Sequence, residues 1–111
     1  DGSAHAKQAL HIAAALAETW GGSYAVVTVA LERAQEHLDE ARSYLAAHTI
    51  QVDYAAREGD PRETILQYCE EKNADLLVMG AYGHSKVREM LLGSTTAYLI
   101  NHAKCPVLLT R

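Results

Sequence analysis

The chain is poor in the residues that mark most specialised functions. It has only two cysteines, Cys69 and Cys105, and no C-x-x-C pair. Cys69 falls inside a helical pattern and Cys105 stands before Pro106 at a strand entrance, so both read as buried free thiols of a reducing cytoplasm, with a disulfide or redox role as the alternative. No apolar run approaches the roughly 20 residues of a membrane span, and the opening residues do not read as a signal peptide. A cytoplasmic protein with no membrane partner is expected. Positive charge is also short. Ten Lys and Arg face fourteen Asp and Glu, a net charge of -4, where a nucleic-acid binder would carry a basic stripe. Any anion site must therefore be local, made of backbone N–H groups and one or two cations.

Further absences concern chemistry. Six histidines are scattered without an H-E-x-x-H, so no metal site is expected. There is no G-x-S-x-G elbow, and Cys105, three residues after His102, reads as an inert thiol rather than a nucleophile. No catalytic residue is assigned.

What the chain does have is alternation. Its 111 residues suit one domain, residues 1–111, and 49% hydrophobic with 22% charged residues is the profile of a soluble globular unit. Ser3 caps a helix whose apolar positions Ala6, Ala9, Leu10, Ala13, Leu16, Ala17 and Trp20 recur at helical spacing, and Gly21-Gly22 ends it. Residues 24–30 (YAVVTVA) predict a strand buried on both faces. Leu31, Ala34, Leu38, Ala41 and Leu45 form a second helical stripe. Residues 50–57 (IQVDYAAR) alternate as a strand exposed on one face near a sheet edge. At Gly59-Asp60-Pro61-Arg62-Glu63, Asp60 caps a third helix, Pro61 takes its first position and Glu63 completes a capping box. Ile65, Leu66, Tyr68, Cys69 and Lys72 carry that helix to Asn73. Leu76 to Met79 is a short buried strand. Ser94 to His102 is helical with Leu99 and Ile100 inward, and Val107 to Thr110 is a last strand opened by Pro106.

Helices and strands that alternate with short connections form a mostly parallel, doubly wound sheet with right-handed crossovers. Ligands of such sheets bind beyond the carboxyl ends of the strands. The stretch after the Leu76–Met79 strand, GAYGHSKVREMLLGSTT, lies there. It is neither a Walker A loop nor a G-x-G-x-x-G dinucleotide loop. Gly80 and Gly83 permit positive φ, so that successive N–H groups converge on an anion as a nest. Gly93 lets a phosphate approach the next helix start, where Ser94 and Thr95 offer hydroxyls and free N–H groups. His84, Lys86 and Arg88 add positive charge. The competing reading is a tight turn at Gly80 and Gly83, with Gly93 relieving packing.

The pattern G-x2-G-x9-G-[ST] resembles the nucleotide-binding signature of the universal stress protein family, of the ATP-binding type. Asp1-Gly2-Ser3, Gly59-Asp60-Pro61, Ala74-Asp75-Leu76-Leu77-Val78-Met79-Gly80 and Cys105-Pro106-Val107-Leu108 agree with it. The resemblance covers the whole chain. It implies a three-layer, adenine nucleotide α-hydrolase-like fold around a five-stranded sheet, whose first strand would precede Asp1. It also implies a longer loop where Val29-Ala30-Leu31 joins strand to helix, or a chain that is half of a tandem protein. Adenine would lie near Met79 and the Val29 backbone, ribose by Asp1, and phosphates on Gly80, Gly83, Gly93, Ser94 and Thr95, with His84 nearby. The implied cofactor is ATP, with Mg2+ carried by its phosphates. Asp1 has a second reading as a helix cap. The implied role is a nucleotide-dependent stress-response regulator that is not an enzyme beyond slow hydrolysis. An ATP hydrolase or adenylyl-transfer enzyme would need a base, for which only Asp1 and His84 are candidates. A further alternative is an interaction module that binds no nucleotide. A homodimer or tandem pseudo-dimer is expected through the strand at 107–110.

Overall fold

A computed structural model describes residues 1–30, 32–82 and 92–111. Among them, helices and strands alternate in the order α1 (Ala4–Trp20), β1 (Tyr24–Val29), α2 (Ala34–Leu45), β2 (Val52–Arg57), α3 (Pro61–Glu71), β3 (Leu77–Gly80), α4 (Ser94–His102) and β4 (Val107–Thr110). Leu31, expected in the second helical stripe, lies outside the described residues.

Local chemistry sets most boundaries. The Ser3 hydroxyl accepts the Ala6 N–H at 3.1 Å, and Gly21 turns left-handed (φ 67°) to close α1. Asp60 starts α3: its carboxylate accepts the Arg62 N–H at 2.8 Å and two bonds from the Arg62 guanidinium at 3.1 and 2.8 Å. The Arg62 guanidinium, a donor only, pairs with the capping carboxylate, and no return bond from the Glu63 side chain to the Asp60 N–H is seen among the described residues. The helix stops short of Asn73, which takes a left-handed φ of 49°.

The Arg62 side-chain bond, with the backbone bond behind it, holds the Asp60 carboxyl at about 2, below its ordinary 3.8. A carboxyl whose folded value is depressed stabilises fully above its unfolded value, and loses that contribution as pH falls through the folded one. Stability should therefore fall between pH 4 and pH 2. Asp60→Asn keeps a capping oxygen but cannot titrate, so urea midpoints of this variant should fall less than those of the parent over that interval.

β1 pairs with β2 in parallel, in register from Tyr24 with Val52 to Val29 with Arg57. β3 pairs with β4 in parallel, from Leu77 with Val107 to Gly80 with Thr110. α1 packs on β3, β4 and β1 beside α2, which covers β1 and β2; α3 and α4 pack on each other, with α3 against β1. The result is a three-layer α/β fold with parallel strands. Four strands of the expected five-stranded sheet are described, as two separate pairs.

The core is built largely of small residues: Ala9, Ala14, Ala41, Ala55 and Ala81 are buried beside Leu38, Leu45, Tyr68 and Leu99. Two expectations of burial fail. β1 is not buried on both faces, since Ala25 is exposed and only Thr28 is fully covered. Leu99 is fully buried, but Ile100 is 44% exposed because it falls on the outer side of α4. Cys69 and Cys105 are free but half-buried rather than buried, and burial raises the Cys69 thiol to about 11, which makes it a poor nucleophile.

Candidate nucleotide site

The carboxyl ends of β1 and β3 lie at one end of a cavity that runs along both strands. Val29 closes β1 there, and Met79 and Gly80 close β3. Asp1 reaches it from the approach to α1, and Gly93, Ser94 and Thr95 reach it from the start of α4. Seven of the nine residues singled out in the sequence thus line one space, although they come from both ends of the chain. Gly83 and His84, like Lys86 and Arg88, lie outside the described residues.

Each end of this site is held by identifiable contacts. The Asp1 carboxylate accepts the N–H of Ser3, the residue that caps α1, at 3.0 Å, and lies at the cavity wall. Gly2 has φ +74°, and a Cβ there would lie 2.6 Å from Nε2 of His37. Both the backbone angle and the lack of space call for glycine. His37 faces Thr28 across 3.4 Å, and burial lowers its pKa below the ordinary histidine value. Its neutral imidazole therefore prevails at pH 7.

Gly80 requires a correction. It does not adopt positive φ, so it cannot turn the chain into a nest as the sequence suggested. Its constraint is space, because a Cβ would sit 2.6 Å from Cβ of His5 and 2.8 Å from the His5 carbonyl carbon. The first turn of α1 rests directly on the end of β3. Thr110 holds it there by donating its hydroxyl to the His5 carbonyl at 2.9 Å, and the His5 ring meets Tyr82 edge-on at 5.2 Å.

The start of α4 is tied back to the same strand. The Gly93 N–H donates to the Ala81 carbonyl at 3.2 Å, and the Thr96 hydroxyl donates to the carbonyls of Gly80 and Ala81 at 3.2 and 3.3 Å. No side chain caps this helix. Gly93 has φ -58° and ψ 150°, a conformation open to any residue. A helix start without a cap leaves N–H groups and the positive end of the dipole available to an anion.

Thr28, His37 and Tyr82 also line the cavity and were not singled out from the sequence. The signals were slight: Thr28 is the lone aliphatic hydroxyl of the run at 24–30, and His37 lies three residues after Ala34 and four before Ala41 on the inward stripe. Among the described residues, no group of three or more His, Cys, Asp or Glu could hold a metal ion. No described helix is long and apolar enough to cross a membrane.

The family model of the Universal stress protein family matches residues 30–111. A universal stress protein of Thermus aquaticus is 35% identical over 128 aligned positions, covering 100% of this chain and 93% of that protein. The alignment is longer than the chain, so the relative carries residues with no counterpart here. Universal stress protein MJ0531 of Methanocaldococcus jannaschii is 33% identical over 91 residues, which cover 81% of this chain and 54% of that protein. Among solved structures, hypothetical protein MJ0577 superposes with a TM-score of 0.89 at 23% identity, over 99% of this chain and 90% of that one. A universal stress protein in complex with cAMP superposes with a TM-score of 0.84 at 26% identity, over 100% and 90%. On the match to the family model and the identity with the Thermus protein, this chain belongs to the universal stress protein family.

Proposed function

We propose that the chain binds an adenine nucleotide, ATP in the first instance, and serves as a nucleotide-dependent regulator of a cytoplasmic stress response. The observation that carries this reading is the placement of Val29, Met79 and Gly80 at the carboxyl ends of β1 and β3, with Asp1 before α1 and Gly93, Ser94 and Thr95 at the start of α4, all lining one cavity. Adenine packs near Met79 and meets the backbone at Val29, the ribose lies by Asp1, and the phosphates lie against Gly80, Gly93, Ser94 and Thr95. Gly83 and His84 belong to the same proposed phosphate site. The donor set fits the group: a helix start that no side chain caps suits phosphate, whose own oxygens would carry Mg2+. The cAMP complex of a relative supports an adenine nucleotide as the class of ligand. Calorimetric titration with ATP, AMP and cyclic AMP, with and without Mg2+, tests the proposal; saturable binding of none of them would reject it.

Regulation rather than turnover is proposed because Asp1, one of the two candidate bases, already accepts the Ser3 N–H. Positioning alone, without a base aligned on an attacking water, leaves little transition-state stabilisation. Phosphate release should stay below roughly 1 s⁻¹, the low end of ordinary enzyme turnover. Faster release would favour the hydrolase reading.

Assembly is proposed through β4, as a homodimer or with a sister domain. β4 pairs with β3 on one side, and Leu108 is 37% exposed. An apolar edge strand is an aggregation hazard unless it is paired or shielded, and two copies meeting about a two-fold axis would satisfy both edges. Leu108→Lys should shift the protein toward monomer in sedimentation velocity. A parent that is already monomeric at tens of micromolar would contradict the proposal.

A further inference from the structure

Cys69 and Cys105 are far apart in the sequence, yet both line one small cavity of about 350 Å³. The cavity lies at the amino ends of β3 and β4, where Leu77 pairs with Val107. That is the opposite end of these strands from the candidate nucleotide site. The proposed nucleotide binding uses neither thiol.

The backbone fixes both cysteines. Cys69 sits in the last turn of α3, where its carbonyl accepts the Ala74 N–H at 3.0 Å. Cys105 follows the end of α4, which closes with the Ala103 N–H on the Leu99 carbonyl at 2.8 Å. It precedes Pro106, whose carbonyl accepts the Leu77 N–H at 3.0 Å and ties this turn to β3. The residues beside the two cysteines, Glu70 and Lys104, form an ion pair at 3.4 Å and line the same cavity. Both thiols are half-buried, so neither is sealed from solvent. Burial, and after it charge on Cys105, pushes the Cys69 thiol up to about 11, so the two sulfurs are near enough to interact.

We propose that Cys69 and Cys105 form a two-thiolate site for a soft monovalent cation, Cu(I), held between the end of α3 and the approach to β4. Thiolate sulfur is the soft donor that suits Cu(I) rather than harder ions, and two such donors complete a linear coordination. On binding, each thiol releases its proton to solvent and each sulfur forms one bond to the metal, with no change in oxidation state. Two thiolates in one cavity repel each other, and a cation between them offsets that repulsion. The complex of two thiolates with Cu(I) keeps one net negative charge. Lys104 stands beside Cys105 with 83% of its side chain exposed, and turning from Glu70 to meet that charge costs little, because an exposed ion pair contributes little. Zn(II), which takes four ligands in tetrahedral array, is served less well by two.

The test titrates Cu(I), without oxygen, into the reduced protein in competition with a chromogenic Cu(I) chelator. The parent should withhold one equivalent per chain. That equivalent should slow alkylation of both Cys69 and Cys105 by iodoacetamide at least about tenfold, since a metal-bound sulfur is no longer a free nucleophile. Cys69→Ser and Cys105→Ser should each weaken retention at least about 100-fold, more than the loss of an outer-shell partner costs a metal site. Four results would overturn the proposal: no Cu(I) withheld, equal retention by the parent and both variants, protection of only one cysteine, or one cation shared between two chains. Alkylation is read on the parent, so the test stands even where a serine variant folds poorly.

Discussion

Gly93→Val is expected to weaken ATP binding by roughly 100-fold, about 2.7 kcal/mol, while the thermal midpoint stays within about 2 °C of the parent. The argument rests on the conformation of Gly93. Its φ of -58° and ψ of 150° are open to every residue, so the fold does not need glycine there. What the proposed phosphate site would need there is an unobstructed approach to the N–H groups of Ser94 and Thr95, at a helix start that no side chain caps. A branched Cβ would keep a phosphate from those donors, where charge-assisted bonds and the helix dipole act together. The bond from the Gly93 N–H to Ala81 survives the substitution, which is why the fold should persist. Equal affinity in parent and variant would remove the phosphates from the start of α4.

The second large effect is of the opposite kind. Gly80→Ala should destabilise the fold by about 1–3 kcal/mol, the range for forcing extra atoms into a packed site. For a domain of this size, that corresponds to a fall of about 4–8 °C for each kcal/mol. The added methyl would overlap Cβ and the carbonyl carbon of His5, and the second of these is backbone that cannot swing aside. The first turn of α1 would have to lift from β3 and strain the Thr110 bond to the His5 carbonyl. Loss of nucleotide binding would follow because Asp1 and Gly2 move with that turn. Thermal melts separate the two glycines: the Gly80 variant loses stability first, and the Gly93 variant loses only its ligand. An unchanged melt for Gly80→Ala would mean that α1 does not rest on β3 as described.

These two glycines also show what could be read from the sequence. Their place after a β-strand and before a helix was legible, as were α4 and β4 to the residue and the caps at Ser3 and Asp60, because those signals are local. The reason for Gly80 was not legible. The sequence suggested a positive φ, whereas the cause is His5, seventy-five residues earlier, pressed against it. Thr28 and His37 escaped notice for the same reason: each is unremarkable within its own element and meets the other only in the fold. β1 looked like a strand buried on both faces because its composition is that of a central parallel strand. Its composition is right, but the neighbour that would cover its inner edge is not among the described strands. Ile100 was misplaced because Leu99 and Ile100 are adjacent, and a helix can turn only one of two such neighbours fully inward.

The central claim is that residues from both ends of the chain form one adenine nucleotide site. A residue-resolved NMR titration with ATP tests it most directly. The amides of Val29, Met79, Gly80, Gly93, Ser94 and Thr95 should shift together and saturate with a single dissociation constant, while amides of β2 such as Val52 and Tyr54 stay still. Shifts absent at millimolar ATP, or gathered on a surface away from the strand ends, would contradict it.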